Sequence, residues 1–228
     1  MMFFDPRYLL FVGPGLLLSA LAAWYVRSTF NRFAQVPVST GLSGAEAAAA
    51  VLRGAGVHDV RIEPVQGFLS DHYDPSEKVL RLSQDVYAGR SIAAAGVAAH
   101  EAGHAIQHAE GYGLMTVRQA LVLPARIGSQ ISIFVIIAGL ALHFLGLAWL
   151  GVFLFSGIFL FELVTLPVEL NASSRARQRL LATGVIGASD ADGVARVLRA
   201  AALTYVAALL TTALQLLYFV SRIRDEER

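Results

Sequence analysis

Ala98-Ala99-His100-Glu101-Ala102-Gly103-His104-Ala105-Ile106-Gln107-His108 decides how the rest of the chain is read. Ser91 is a plausible N-cap, and Ile92 to Ala109 contains no proline, so the spacing predicts a helix over 92–109. Residues four apart on a helix share a face, so His100 and His104 can offer two imidazoles to one ion. Glu101 is not a ligand in this H-E-x-x-H arrangement. It is placed to take a proton from water and pass it to a leaving amine. Zn²⁺ supplies the Lewis acid in such a site and lowers the pKa of water to about 7. The bland alternative is a helix with two solvated or hydrogen-bonded histidines. The flanks argue against it: Ala93, Ala94, Ala95, Val97, Ala98 and Ala99 suit a buried helix, and Gly103 admits a close neighbour.

Composition sets the surroundings. The chain has 228 residues, is 56% hydrophobic and carries a net charge of +1. Its mean hydropathy of +0.58 is too high for an ordinary soluble domain. The near-neutral charge offers no footprint for nucleic acid. With no cysteine, disulfides, thiol catalysis and cysteine-held zinc are excluded. Metal ligands must come from His, Asp or Glu.

The hydrophobicity arrives in blocks. Tyr8 to Val26 is uncharged and long enough to cross a bilayer, with Trp24 and Tyr25 at its end and Arg27 and Arg32 beyond. A cleaved signal peptide is the alternative, but the basic residues mostly follow the run. This predicts a first transmembrane helix at 8–26. Residues 31–126 are more polar and are expected to form the metal domain. Ser43-Gly44-Ala45-Glu46 reads as a capping box opening a short helix to Arg53. Val57 to Val65 and Lys78 to Leu82 read as strands. Asp71-His72-Tyr73-Asp74-Pro75 between them reads first as a hairpin tip. The sharper reading has His72 or Tyr73 reaching toward the metal or a substrate carbonyl. Ser83 to Gly89 reads as a helical turn, and Met115 to Ala125 as an amphipathic segment on the membrane surface or the metal domain. Residues 127–168 hold two more spans with a turn near His143 to Gly151. Residues 169–199 form a connecting segment of helices, interrupted at Gly184 and Gly187. Residues 200–220 are a fourth span, and the charged tail from Ser221 is expected to fray.

Spans two and three cancel, so the His100 helix and the segment after Glu169 face one compartment. Of the 18 Lys and Arg residues, all but Arg7, Arg222, Arg224 and Arg228 lie in those two segments. The positive-inside rule puts them in the cytoplasm, although the tail arginines argue the other way. A catalytic zinc usually takes three protein ligands. His108 continues the series, but three histidines along one straight helix span roughly 12 Å of rise and converge poorly. Glu162 is an acid inside a hydrophobic run. Glu169 sits at a span end followed by small residues, and is favoured.

His100 to Tyr112, with Asp71 to Pro75 before it and Pro167-Val168-Glu169-Leu170-Asn171-Ala172-Ser173 after it, closely resembles the bacterial membrane-bound neutral zinc metallopeptidases of the YugP-like family. Ala200 to Ala208 also looks like that family's last span. The resemblance covers nearly the whole chain. The order H-E-x-x-H followed by a distant Glu is distantly similar to HtpX-type and CAAX-processing membrane proteases. By that analogy Glu169 is the third ligand. Ser173 stands where the latter proteins carry Asp, so a carboxylate that would hold a ligand histidine is absent or supplied elsewhere.

The resemblance implies a mainly α membrane protein: about four transmembrane helices and a gluzincin-like zinc domain carrying a small β-hairpin. It implies a multi-pass protein of the bacterial inner membrane. The expected activity is a zinc metalloendopeptidase acting on peptide or protein substrates associated with the membrane. His100, His104 and Glu169 are the expected ligands and Glu101 the base. His72, Tyr73 and Arg175 are candidates to contact the substrate or its transition state, and the strand Lys78 to Leu82 is a candidate edge for an extended peptide. A non-catalytic, zinc-stabilised membrane scaffold is the alternative; it would need ligands but no Glu101. Cleavage inside the bilayer is a third reading. Arg90 and Glu110 flank the helix too closely for that, which places the metal at or above the cytoplasmic membrane face.

Overall fold

The computed structural model describes residues 6–228 and is mainly helical. In chain order it contains α1 (Pro6–Ala34), α2 (Gly44–Gly54), β1 (Arg61–Val65), β2 (His72–Asp74), β3 (Val79–Ser83), α3 (Gln84–Tyr87), α4 (Ile92–Ala109), α5 (Gly113–Ala141), α6 (Leu145–Ala182) and α7 (Ala191–Glu226). The described residues fall into two units. One takes the chain up to Ala23, Thr116–Pro167 and everything from Leu203 on. The other takes Trp24–Met115 and Val168–Ala202.

The first unit is built from α1, α5, α6 and α7, all long and apolar enough to cross a membrane. Their most apolar windows are only 17%, 22%, 22% and 28% buried. Leu10, Phe134 and Phe153 are each more than 70% exposed, an apolar surface suited to lipid and not to water. The interior is small: Ile136, Phe155, Tyr218, Phe219 and Ile223 pack together, with the Phe155 and Phe219 rings edge-on at 5.2 Å. A Cβ on Gly139 would lie 2.3 Å from the backbone nitrogen of Ala148, so only hydrogen fits where α5 meets α6. Small residues at helix contacts are how apolar helices approach closely in lipid.

Several boundaries differ from the sequence reading. Met115 to Ala125 is no separate segment but the first half of α5, which runs through Pro124. The two units accordingly divide at Met115 and Thr116, not at residue 126. The turn between α5 and α6 falls at Leu142–Phe144, and His143 adopts φ 52° there. Helix α6 continues without a break past Glu169 to Ala182. Helix α7 continues past Ser221 to Glu226, with an Arg222–Glu226 ion pair on its last turn, so the tail expected to fray is mostly helical. Hydropathy marks where a helix would leave lipid. It does not mark where its hydrogen bonding stops.

The second unit places α4 among α2, β2 and β3. Ser91 caps α4 by accepting from the Ala94 N–H, as the sequence suggests. The Ser43–Glu46 capping box is present in full at α2. Nearly all of α4 is buried because its alanines let neighbours come close on every side. Its partners include Val51 and Leu52 of α2, Leu80 and Leu82 of β3, and Leu180 of α6. The sheet has the order β1-β3-β2. β1 pairs with β3 in parallel, Arg61 opposite Val79, and β2 pairs antiparallel, Tyr73 opposite Leu80. The hairpin is therefore β2–β3, and the stretch expected as its tip is itself a strand. This also corrects the expected substrate edge. β3 is the central strand, with both sides paired, and the free edges belong to β1 and β2.

Candidate metal centre

His100 and His104 lie one turn apart on α4, and Glu169 reaches them from α6. Two features of sequence allow this approach. Gly103 faces Ala172: a Cβ there would lie 2.8 Å from the Ala172 carbonyl oxygen, so a side chain would push α6 away. Ala172 and Ala176 are themselves fully buried and small. Glu169 is 2% exposed. Its Oε2 lies 3.1 Å from His100 Nε2 and 3.4 Å from His104 Nε2. The donor atoms of the three residues lie within 4.8 Å of one another.

These separations fit a metal. A tetrahedral zinc with ligand bonds of about 2.0–2.1 Å holds its ligand atoms about 3.3 Å apart. Both Nε2–Oε2 distances lie close to that edge. Charge agrees. Burial works against a positive charge on His104, yet the Glu169 and Glu101 carboxylates and the Gln107 amide outweigh it and hold the ring above the ordinary imidazole pKa. The site favours added positive charge, which a dication brings.

The outer ring nitrogens are both engaged. His100 Nδ1 is 3.2 Å from Ser173 Oγ. Ser173 thus gives this ligand histidine an outer partner, although it is no carboxylate. His104 Nδ1 is 3.0 Å from Gln107 Oε1. The atom assignment there follows from the partners. Gln107 Nε2 lies 2.9 Å from the Val168 carbonyl oxygen, which can only accept, so the amide nitrogen faces α6. Arg175 Nε, which can only donate, gives 2.7 Å to Asn171 Oδ1, and Gln107 Nε2 donates to the same oxygen at 2.9 Å. Gln107 Oε1 must therefore accept from His104 Nδ1–H, which leaves the Nε2 lone pair for a metal. Gln107 is fully buried. Arg175 completes the chain through an ion pair with Glu110, and its guanidinium lies 5.8 Å from the Tyr112 ring centre.

Sequence reasoning did not find Gln107 or Asn171. The available signal was a glutamine three residues after His104 on a mostly apolar helix, a position that shares the histidine's face. The other expected site residues are placed as follows. Glu101 is 9% exposed, one residue along α4 from His100. His72 is exposed on β2, with Nδ1 2.8 Å from the Ser70 carbonyl oxygen. The Tyr73 hydroxyl is 2.8 Å from His108 Nδ1. Burial, with Asp59 and Asp74 nearby, pushes the tyrosine pKa up to about 12, so it stays neutral. His108 is thereby engaged away from the ligands, as the helix rise required. Arg175 is held by Glu110 and Asn171. Each of these three candidates makes its bonds outside the ligand cluster. Glu162 belongs to the other unit.

Asp71, just before β2, does bear on the centre. It accepts from the Ser83 N–H at 2.7 Å and from the Ser83 hydroxyl at 3.0 Å. Burial first, and then the charge of Glu101, hold its carboxyl above the usual range, so a second acid shares the electrostatic environment of the Glu101 carboxylate.

Comparison with known proteins bears on the metal and not on its ligands. Residues 8–224 match the model of the family described as "Putative neutral zinc metallopeptidase". The chain is 47% identical over 203 residues to the "Putative membrane protease YugP" of Bacillus subtilis (strain 168), covering 89% of this chain and 90% of that protein. No solved structure matches. With both the family model and this relative spanning nearly its whole length, the chain belongs to the neutral zinc metallopeptidase family so described.

Proposed function

We propose that the chain is a multi-pass membrane zinc endopeptidase of the gluzincin type. His100, His104 and Glu169 hold the ion and Glu101 serves as the base. The observation that carries this reading is the pairing of a three-ligand set, whose two His–Glu169 separations match a tetrahedral edge, with a buried carboxylate next to it in sequence that is not needed as a ligand. A site that served stability alone would need no Glu101.

When bound, zinc polarises a peptide carbonyl and lowers the pKa of water. The chain's own residues do the rest. Glu101 takes a proton from the attacking water at its carboxylate and delivers it to the leaving nitrogen. Ser173 and Gln107 hold the two imidazoles in the tautomer that presents Nε2. The free edge of β2 offers backbone groups to an extended peptide, which would add as a further antiparallel strand. Backbone pairing of this kind tolerates many side chains, which favours protein segments over one defined small substrate.

The four apolar helices support a bacterial inner-membrane location, and the arginines flanking them support a metal centre on the cytoplasmic side. The chain has no cysteine, so single cysteines introduced at His143 and at Gln178 report sidedness directly. A membrane-impermeant thiol reagent applied to intact cells should label the first and not the second.

The decisive experiment compares wild type with Glu101→Gln, both purified in detergent, for zinc content and for cleavage of casein. Zinc retained in both, with cleavage lost only in the variant, is the expected result. Zinc in both with no cleavage in either, across soluble and membrane-embedded substrates, would turn the reading to a zinc-stabilised scaffold.

A further inference from the structure

Five arginines lie on the part of α6 after Pro167 and the part of α7 before Leu203. Three are partnered. Arg175 binds Glu110 and Asn171, Arg179 donates to the Gly54 carbonyl at 3.0 Å, and Arg196 pairs with Asp192 at 2.8 Å. The remaining two, Arg177 and Arg199, make no ion pair among the described residues, and both are exposed. They line the same groove, about 420 Å³ between α6 and α7. Its walls are otherwise largely apolar: Leu170, Leu181, Leu198 and Ala202 contribute, and no carboxylate does. Leu170 and Leu181 are 49% and 40% exposed.

The groove adjoins the metal centre only through Ser173, which lines it and lies 3.2 Å from His100 Nδ1. On α6 the ligand face carries Glu169, Ala172 and Ala176, which are buried against α4. Leu170, Ser174, Arg177 and Leu181 form a neighbouring stripe at helical spacing, and that stripe faces α7. Two cations without counter-ions beside an exposed apolar strip are complementary to an anion that carries its own hydrocarbon. The place in the chain narrows the choice. The groove occupies the stretches immediately next to the hydrophobic runs of both helices, where a helix leaving a bilayer meets headgroups. Basic pockets between such helices take lipid phosphates.

We propose that this groove binds one anionic phospholipid, its phosphate between Arg177 and Arg199 and its glyceride and upper acyl carbons along Leu170 and Ala202, on the side of the hydrophobic runs. The proposal rests on the membrane reading above but not on the peptidase reading. A headgroup held there would anchor the second half of α6, the helix that carries Glu169, to the leaflet.

Native mass spectrometry of the detergent-purified full chain tests it, with phosphatidylglycerol and phosphatidylcholine in competition. The expected result is one retained phosphatidylglycerol, preferred by roughly tenfold or more. Arg177→Gln with Arg199→Gln should abolish the preference, while Arg196→Gln, which breaks only the Asp192 pair, should keep it. Equal retention of the two lipids, or a preference that survives the double variant, would overturn the proposal. So would displacement of the lipid by a soluble acidic peptide with no loss of other adducts, which would make the groove a peptide site. Flotation with neutral vesicles separates the two levels. Protein that fails to float breaks the membrane reading and this proposal together; protein that floats without headgroup preference overturns the groove alone.

Discussion

Helix α6 passes through both units, and its two parts solve opposite problems. Before Pro167 it carries Phe153 at 72% and Leu160 at 49% exposure, with an unpatterned apolar surface. After Pro167 it carries Glu169 at 2% exposure, Asn171 and Arg175, each bound to a named partner. On the exposed face of the first unit, identity matters little so long as the residue is apolar, because no neighbour within the protein fits around it. In the second, Glu169, Asn171 and Arg175 each meet named partners in a definite geometry. The lesson is that function in this chain is concentrated where polarity is buried, and not where hydrophobicity is greatest.

The largest effect should come from removing the acid that α6 contributes. Glu169→Ala leaves two imidazoles one turn apart and no carboxylate between them. Zinc retention after dialysis, read by atomic absorption, should fall by more than the 10- to 100-fold typical of losing an outer partner, with proteolysis lost alongside. Retention at the wild-type level would remove Glu169 from the ligand set.

A smaller loss should follow from Gln107→Leu. The leucine fills similar volume but cannot accept from His104 Nδ1–H, and it leaves the Val168 carbonyl and Asn171 Oδ1 short of a donor. Chelator competition should show zinc affinity down by about 10- to 100-fold. Gln107→Glu should recover part of it, since a carboxylate still accepts from the ring. Equal affinity in all three proteins would mean that the Gln107 bonds serve packing alone.

These two residues also mark the limit of what the sequence discloses. The histidine helix, its Ser91 cap, the Ser43 capping box and the four apolar runs are local patterns, readable over a turn or two of chain. Glu169 was legible because a charge next to a hydrophobic run is conspicuous. Gln107 was not, because its role depends on the Val168 carbonyl 61 residues away, and no local pattern encodes that meeting. The same reason explains the sheet. Val57 to Val65 and Lys78 to Leu82 read as adjacent strands of one hairpin. Yet β1 and β3 run parallel, and the polar Asp71–Asp74 stretch supplies the antiparallel neighbour, because pairing is decided by contacts beyond the strand itself. Helix ends in the first unit were misplaced for a different reason: hydropathy changes at a bilayer boundary while helical hydrogen bonding continues.

The two units should also respond differently to acid. Asp74 on β2 accepts from the Ser76 hydroxyl at 2.6 Å and pairs with Arg81 at 3.3 Å. The Ser76 bond, above all, lowers its pKa to about 2. A carboxyl whose pKa is lower folded than unfolded adds stability that is complete above its ordinary value of 3.8 and is lost as the pH falls toward 2. Wild type should therefore lose more thermal stability between pH 5 and about pH 2.5 than Asp74→Asn does, by less than about 1 kcal/mol for a half-buried group near the surface. Hydrogen exchange should place the difference in β2 and β3 and leave the apolar helices unaffected.

The smallest effect is expected on the exposed apolar side of α6. Phe153 is 72% exposed, so truncating it removes little packing inside the protein and opens no cavity. Phe153→Ala should change stability in detergent by within about 0.5 kcal/mol, as substitutions away from buried or bonded features usually do. Phe155, two residues on, is 3% exposed against Phe219, and its truncation should cost about 3–5 kcal/mol. The pair tests the comparison inside one turn of one helix. If Phe153→Ala proved as damaging as Phe155→Ala, the exposed face of the first unit would have to be covered by protein, such as a second copy of the chain. The contrast between a lipid-facing half and a site-bearing half of α6 would then have to be redrawn around that contact.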